Sequence, residues 1–361
     1  MEKHKPCPNC GNELEFSAAH HGLYCAHCGT EQAVLRDPDF VPSGSDYLEV
    51  LAGLDADAEA PENIAVDCDN CAAHIELPEN VVADRCPYCD SPVVAADLSA
   101  RPLRPTAVLP FRVSREEAAE HYRKWLNSRW FMPNKVKREA RIRKFKGIYM
   151  PHWTYDDNTV TSYTGMRGEY YWVTVNYTTT ENGKTVQRTR RERRTRWYPA
   201  AGTVYDYFKN LLVPANRTLP EELVEKLTPW GLNALEGYQP DFIRGHQEQS
   251  YALPLAAGFE EAKKLMEPTI SESIRHDIGG DEQQILTAST YYKNISFKLI
   301  LLPAWENHFE FQNKTYVFLV NARTGEVQGK RPWSAVKLTF FILFLVALAA
   351  VLGYFIINHT G

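Results

Sequence analysis

The chain has 361 residues, enough for two or three domains, and its net charge of −5 hides a segregated distribution. Residues 1–100 carry 4 Lys/Arg against 19 Asp/Glu, residues 101–146 carry 14 against 4, and the remainder is balanced. Such acidity disfavours phosphate binding by the first hundred residues, and the opening MEKHKPCPNC, with no apolar stretch, is not a signal peptide.

The first predicted element is a cysteine module over residues 1–36. In CPNCGNELEFSAAHHGLYCAHCG (7–29), two C-x-x-C pairs stand fourteen residues apart, and CDNCAAHIELPENVVADRCPYCD (68–90) repeats that frame 61 residues later. All eight cysteines are used, in a chain expected to begin in the cytosol, which favours metal over disulfides. The gap between pairs holds an outgoing and a returning strand, the frame of a zinc ribbon. Cys7, Cys10, Cys25 and Cys28 are expected to hold one Zn²⁺, and Cys68, Cys71, Cys86 and Cys89 a second. Four thiolates at about 2.3 Å close the tetrahedron and leave no position for water, so both ions read as structural. Metal then supplies the folding energy that modules of this size cannot draw from a core. Gly11 and Gly29 suit the left-handed turn after each knuckle; Ala72 and Asp90 suit it less. His20, His21, His27 and His74 read as surface residues, since each ion already has four ligands. Each four-thiolate site adds a further −2, so nucleic-acid contact by the ribbons is disfavoured. The two copies suggest two docking knobs on one tether.

Residues 37–64 form an acidic linker with a short helix near Tyr47–Leu54, and residues 65–97 the second ribbon. From 98 to 334 the texture is that of a sheet-rich α+β body. Ser114-Arg-Glu-Glu117 is a capping box, followed by Ala118, Tyr122, Trp125, Leu126 and Trp130 at helical spacing up to Pro133. Thr218-Leu-Pro-Glu221 opens another helix in the same way, and a third runs from about Ala256 past Pro268 to Gly279-Gly280. Between them YYWVTVNYTTT (170–180) and Glu181-Asn-Gly-Lys184 predict a hairpin in which facing residues sum to 365. Trp172 then faces Arg193 and Tyr171 faces Arg194, with cation–π contacts expected in those pairs. A second hairpin turns at Asn313-Lys314. KGIYMPHW (146–153) and KLILLPAW (298–305) echo one another 152 residues apart, as two related β-units would.

Two basic stretches stand out, KVKREARIRKFK (135–146) and RTRRERRTRW (188–197). A solvated face, anionic headgroups, an acidic partner, nucleic acid and the chain's own ribbons are open for them. Arg188, Arg190, Arg191, Arg193, Arg194, Arg196 and Lys144 are the candidate anionic-partner residues. No phosphate loop, zinc-protease, serine-hydrolase or dinucleotide motif occurs, so neither enzymatic activity nor a small-molecule substrate is expected. LTFFILFLVALAAVLGYFII (338–357) is twenty residues without a charge, about 30 Å of helix. The sequence therefore predicts a transmembrane helix over 335–357 with a short tail, 358–361. Lys330, Arg331 and Lys337 precede the span and place the N-terminal bulk in the cytoplasm, as a single-pass, tail-anchored protein of the cell membrane.

The N-terminal CPNCG…CAHCG ribbon, the stretch LPAW…KTYVFLVNARTGEVQGKRPWS (302–334) and the span directly after it resemble a bacterial family. Its members are membrane-anchored TFIIB-type zinc-ribbon proteins, often labelled replisome organiser or primosomal protein N′-like. The resemblance implies SPFH and phage-shock-type proteins as partners in membrane stress, and offers no catalytic residue. The reading is a membrane-anchored adaptor with two structural zinc ions; the alternative is a membrane-tethered nucleic-acid-binding protein using 135–146 and 188–196.

Overall fold

The structure, a computed structural model, describes residues 5–54, 64–68, 74–77, 81–87, 91–94, 103–139, 145–181, 184–312 and 314–359. Each cysteine module folds from short strands too small to pack alone. In the first, β1 (Glu15–Ser17), β2 (Gly22–Tyr24) and β3 (Glu31–Gln32) form an antiparallel meander around buried Leu14, Phe16 and Leu23. A two-residue strand, β4 (Ser45–Asp46), leads into α1 (Tyr47–Gly53), whose first turn is capped by the Asp46 side chain on Glu49 N. The second module comprises β5 (Ile64–Asp67), β6 (His74–Leu77), β7 (Val81–Arg85) and β8 (Pro92–Val94).

The offset of 61 holds in three dimensions. The Pro6–Glu13 bridge returns as Asp67–His74, and the Leu23–Gln32 and Tyr24–Glu31 pairs return as Asp84–Val93 and Arg85–Pro92. Neither module is a free knob. β7 is hydrogen-bonded into the body's sheet, with Ala83 opposite Glu248 and Val81 opposite Gln249. The first module docks through Phe16, whose ring meets Phe242 at 5.6 Å and whose N–H donates to Arg244 O at 3.0 Å. Lys5 pairs with Asp241, and Glu15 with Arg85 of the second module.

The body begins with β9 (Ala107–Val108) and α2 (Arg115–Ser128), whose capping box is complete: Glu117 N donates to Ser114 Oγ, and Ser114 N to Glu117 Oε2. α2 stops at Ser128, a turn before Pro133, and α3 (Asn134–Glu139) restarts just after that proline. Two strands of unusual length follow, β10 (Lys146–Glu181) and β11 (Lys184–Pro214). After α4 (Glu221–Glu225), β12 (Glu236–Gly237), α5 (Pro240–Ile243) and β13 (Gln247–Gln249) comes α6 (Leu255–Ile278). α4 starts two residues later than the sequence implies. Thr218 turns back on Asn216 Oδ1 through both its N–H and its hydroxyl, so Pro220 takes the cap position.

β14 (Glu282–Phe311), β15 (Lys314–Asn321) and β16 (Val327–Gly329) complete the sheet. Phe311 faces Lys314, so Gln312 and Asn313 lie between the strands, one position earlier than expected, with Gln312 at φ 51°. β10 is central, flanked by β11 and β14. From Asp157–Phe208 to Glu181–Lys184 every β10–β11 pair sums to 365, and a bulge at Tyr155/Asp157 moves the remainder by one.

The echo at 146–153 and 298–305 is a pair of neighbours. Met150 faces Leu302 across β10 and β14, and these two residues are also equivalent under the 152-residue offset. A pseudo-twofold axis therefore passes between them. β13 runs parallel to β10 at Ile148–Tyr149, and β9 runs parallel to β14 at Ile300–Leu301, the same positions 152 residues on. Each half clasps the other: Trp153 Nε1 donates to Leu253 O at 2.9 Å, and Trp305 Nε1 to Val113 O at 2.8 Å. Ala215 O accepts from the amides of Ala252 and Leu253, while Ala322 O accepts from those of Arg112 and Val113.

Odd-numbered residues of β10 and β14 around this axis share one face, on which both long helices lie. α6 buries Leu255, Phe259, Ala262, Met266, Ile270, Ile274 and Ile278 against Trp153, Tyr155, Tyr163 and Phe297. Pro268 falls on its exposed side, where the missing N–H costs least, and the helix continues through it. α2 packs on the other half, against Phe145, Trp305, Phe309 and Phe318. The opposite face at the axis, with Ile148, Met150, Ile300 and Leu302, is covered by the α4 region through Leu223, Leu227 and Trp230. α7 (Ala335–His359) follows, and its segment Ala335–Gly353 is long and apolar enough to cross a membrane, with none of it buried in the body.

Candidate metal centre and arginine arm

Cys7, Cys10, Cys25 and Cys28 converge, with all four sulfurs within 4.8 Å of one another. The knuckles bring them together: Gly11 N donates to Cys7 O and Gly29 N to Cys25 O, both at 2.9 Å. Both glycines stand at φ 76°, the left-handed conformation the sequence assigns them. Cys7 Sγ lies 3.5 Å from Cys28 Sγ, and Cys10 Sγ 3.5 Å from Cys25 Sγ. A tetrahedron of metal–sulfur bonds of about 2.3 Å spaces its sulfurs at about 3.8 Å, so the group needs little movement to close on one ion.

Local polar groups and neighbouring sulfurs drive the thiols apart. The Thr30 hydroxyl, 3.1 Å from Cys28 Sγ, and the Thr30 amide hold the Cys28 thiol down to about 5. Against a hydrogen bond from the Asn12 backbone, the thiols of Cys28, Cys25 and Cys7 push Cys10 up to about 12. Four sulfurs this close repel as anions, and a divalent cation relieves that repulsion. These four cysteines can hold a metal ion.

In the second module, Cys68 and Cys86 are buried in one cluster with Val66, Ile75, Val81 and Val93. Cys86 N donates to Ser91 O, the counterpart 61 residues on of Cys25 N to Thr30 O. Cys71 and Cys89, with Ala72 and Asp90, lie outside the described residues. His20 is engaged away from the sulfurs: it pairs with Glu31 at 2.7 Å and stacks on Tyr24.

The six arginines lie on a projecting arm. β14 accompanies β10 only as far as Gly168–Glu282, and β10 and β11 run on together to Glu181–Lys184. Alternation places Arg188, Arg190, Arg194 and Arg196 on one face and Arg191 and Arg193 on the other. All six are exposed, as is Trp172 at 61 %. The cation–π pairs differ from expectation. Arg193 lies over Tyr170 at 4.0 Å, Arg196 over Tyr171 at 4.9 Å and Arg190 over Tyr177 at 5.4 Å. Each guanidinium reaches a diagonal ring two residues from its directly facing partner, because long side chains lean along the strand. Glu192 offsets part of the charge through Arg190 at 2.6 Å and Arg194 at 3.9 Å. Lys144 lies outside the described residues.

Sequence reasoning missed the clasping tryptophans and the polar groups buried beneath the helices. Asp157 is buried with Oδ1 accepting from Lys293 N, and burial pushes its carboxyl up to about 6. His246 stacks on Phe111 at 4.0 Å, and burial, with Arg85 and Arg115 nearby, pulls it down to about 3. A polar residue in a β-strand carries no local mark of such burial.

Among known proteins, the uncharacterized protein YdjG of Bacillus subtilis (strain 168) is 26 % identical over 355 residues, spanning 95 % of this chain and 96 % of that one. No protein-family model matches the chain, and no solved structure does.

Proposed function

We propose that this chain is a non-enzymatic adaptor anchored in a bacterial membrane by α7, with its bulk in the cytoplasm, and that it assembles proteins there. The observation that carries this reading is the arm: a two-stranded ribbon that runs on beyond β14 with exposed arginines on both faces, a surface available to another molecule. The two cysteine modules are zinc ribbons with one structural Zn²⁺ each. They brace the body at α5 and β13, and their closed ligand sets leave the metal no catalytic position. SPFH and phage-shock-type proteins are the partner classes, during envelope stress.

The rival reading makes the arm a nucleic-acid ligand. It is favoured by arginines stacked on tyrosines along one ribbon, a surface on which bases and phosphates both find partners. Crosslinked pull-down from intact membranes, comparing the native chain with one carrying Arg→Glu at 188, 190, 191, 193, 194 and 196, tests the adaptor. Loss of specific protein partners in the variant supports it. Steeply salt-dependent binding of DNA or RNA by residues 1–330, abolished by the same changes, would replace it with the rival.

A further inference from the structure

The first basic stretch occupies a different part of the molecule from the arm. After α2, residues 129–134 turn across the foot of α7 and are fastened to it. Ser334 N donates to Phe131 O at 2.8 Å. Lys337 Nζ donates to Trp130 O, Met132 O and Asn134 Oδ1 at 3.0, 2.9 and 2.8 Å. Phe131 packs on Trp333 and on Phe341, inside the first turns of the apolar helix. Directly from this turn runs α3, with Lys135 and Arg138 exposed. Residues 129–139 and 330–337 together hold seven Lys/Arg against one Glu, with Glu222 pairing Lys330 at 3.4 Å. Trp130 and Trp333 stay 63 % and 59 % exposed beside that charge.

We infer that the 129–139 turn and α3, with Lys330 and Arg331, form a collar around the foot of α7 that binds anionic phospholipid headgroups. The inference rests on α7 crossing the membrane. Aromatic rings in the interface and cations at headgroup level are what that position selects. The collar is continuous with the apolar helix, so headgroups reach it as soon as the helix inserts. Arg331 stacks on Trp333 at 4.7 Å, and burial together with the charge of Arg129 lowers its proton affinity, so an anion between the two guanidiniums relieves a repulsion already present.

The arm is at the other end of the sheet. From Phe309, beside α2, to Glu282, where the arm begins, is about 90 Å of β14, and the arm adds about 40 Å. The collar and the arm therefore present separate surfaces, and lipid is assigned to the collar alone.

The test uses the full chain in vesicles of phosphatidylcholine alone or mixed with phosphatidylglycerol, reading hydrogen exchange of the amides in 129–139. Phosphatidylglycerol is expected to slow exchange several-fold, high salt to reverse that, and Arg138→Glu with Arg331→Glu to abolish it; Arg→Gln at both positions should weaken it. Equal exchange in the two vesicle types overturns the collar. So does an effect that survives the collar changes and vanishes with Arg→Glu in the arm. Alkaline carbonate extraction reads the anchor separately. If the chain is released, α7 does not span, and flotation with phosphatidylglycerol vesicles then decides the collar: retention lost in the Arg138/Arg331 variant supports it, and no retention overturns it.

Discussion

Cys28, held low by Thr30, and Cys10, pushed high by its neighbours, belong to one four-sulfur group that a single ion would unify. Cys28→Ser is expected to lower the zinc bound per chain by one ion, measured by elemental analysis of the purified protein. A variant with an unchanged zinc content would show that the first module is not the site. The clasping tryptophans carry the next expectation. Trp305 is buried and donates to Val113 O, so Trp305→Phe strands a buried carbonyl at a cost of about 1–3 kcal/mol, besides the lost ring volume. Trp153→Phe should cost a similar amount, since it makes the equivalent bond to Leu253 O. Denaturant unfolding of the two variants reads both, and a large inequality would mean that the two halves are not energetically equivalent.

Of the elements, β10 and β11 were the most legible in the sequence. The Asn182-Gly183 turn and the β-branched run before it set a register that the ladder keeps for more than twenty pairs. Their length as a free arm was not legible, because it depends on where β14 stops. Replacing Tyr171–Arg194 by a two-residue turn is expected to leave the thermal midpoint within about 2 °C, since the side chains of 171–180 and 185–194 are exposed or half-exposed. Differential scanning calorimetry checks this, and a large drop would mean that the arm packs on the body. Helix beginnings were legible where a side chain caps them, as at Ser114. They were misplaced at Thr218, where the Asn216 carboxamide competes for the same groups.

Across the whole molecule, stability should fall on acidification. Burial holds His246 down to about 3 and His152 down to about 4, whereas both take a proton near 6.5 once unfolded. Below that pH the unfolded chain binds more protons, so the folded state loses ground from about 6.5 towards 4. Asp157 acts in the opposite sense. It keeps its proton up to about 6 when folded against about 3.8 unfolded, which lowers stability as pH rises through that window. Two displaced histidines outweigh one aspartate. Urea midpoints across pH 4–8 should therefore decline on the acid side, and Asp157→Asn should raise the midpoint at pH 7 by removing the cost of ionising a buried carboxyl. An unchanged midpoint at pH 7 in that variant would place the carboxylate in contact with water. At the same scale, the described strands of the cysteine modules dock at α5 and β13, remote from the arginine arm.

By itself the sequence determined what short-range chemistry dictates: the cysteine frame and its repeat at 61, the hairpin register, the capping box, and an apolar helix of bilayer length. Each is written in the order of residues along one stretch of chain or in its direct repetition. Tertiary structure alone decided that the echoing strands pair about a pseudo-twofold axis, that both cysteine modules are built onto the body, and that α3 and the arginine arm lie at opposite ends of the sheet. Those outcomes join segments a hundred residues or more apart, through contacts such as Trp153 to Leu253 and Trp305 to Val113. They are fixed by how buried surfaces fit together, which no local pattern of residues specifies.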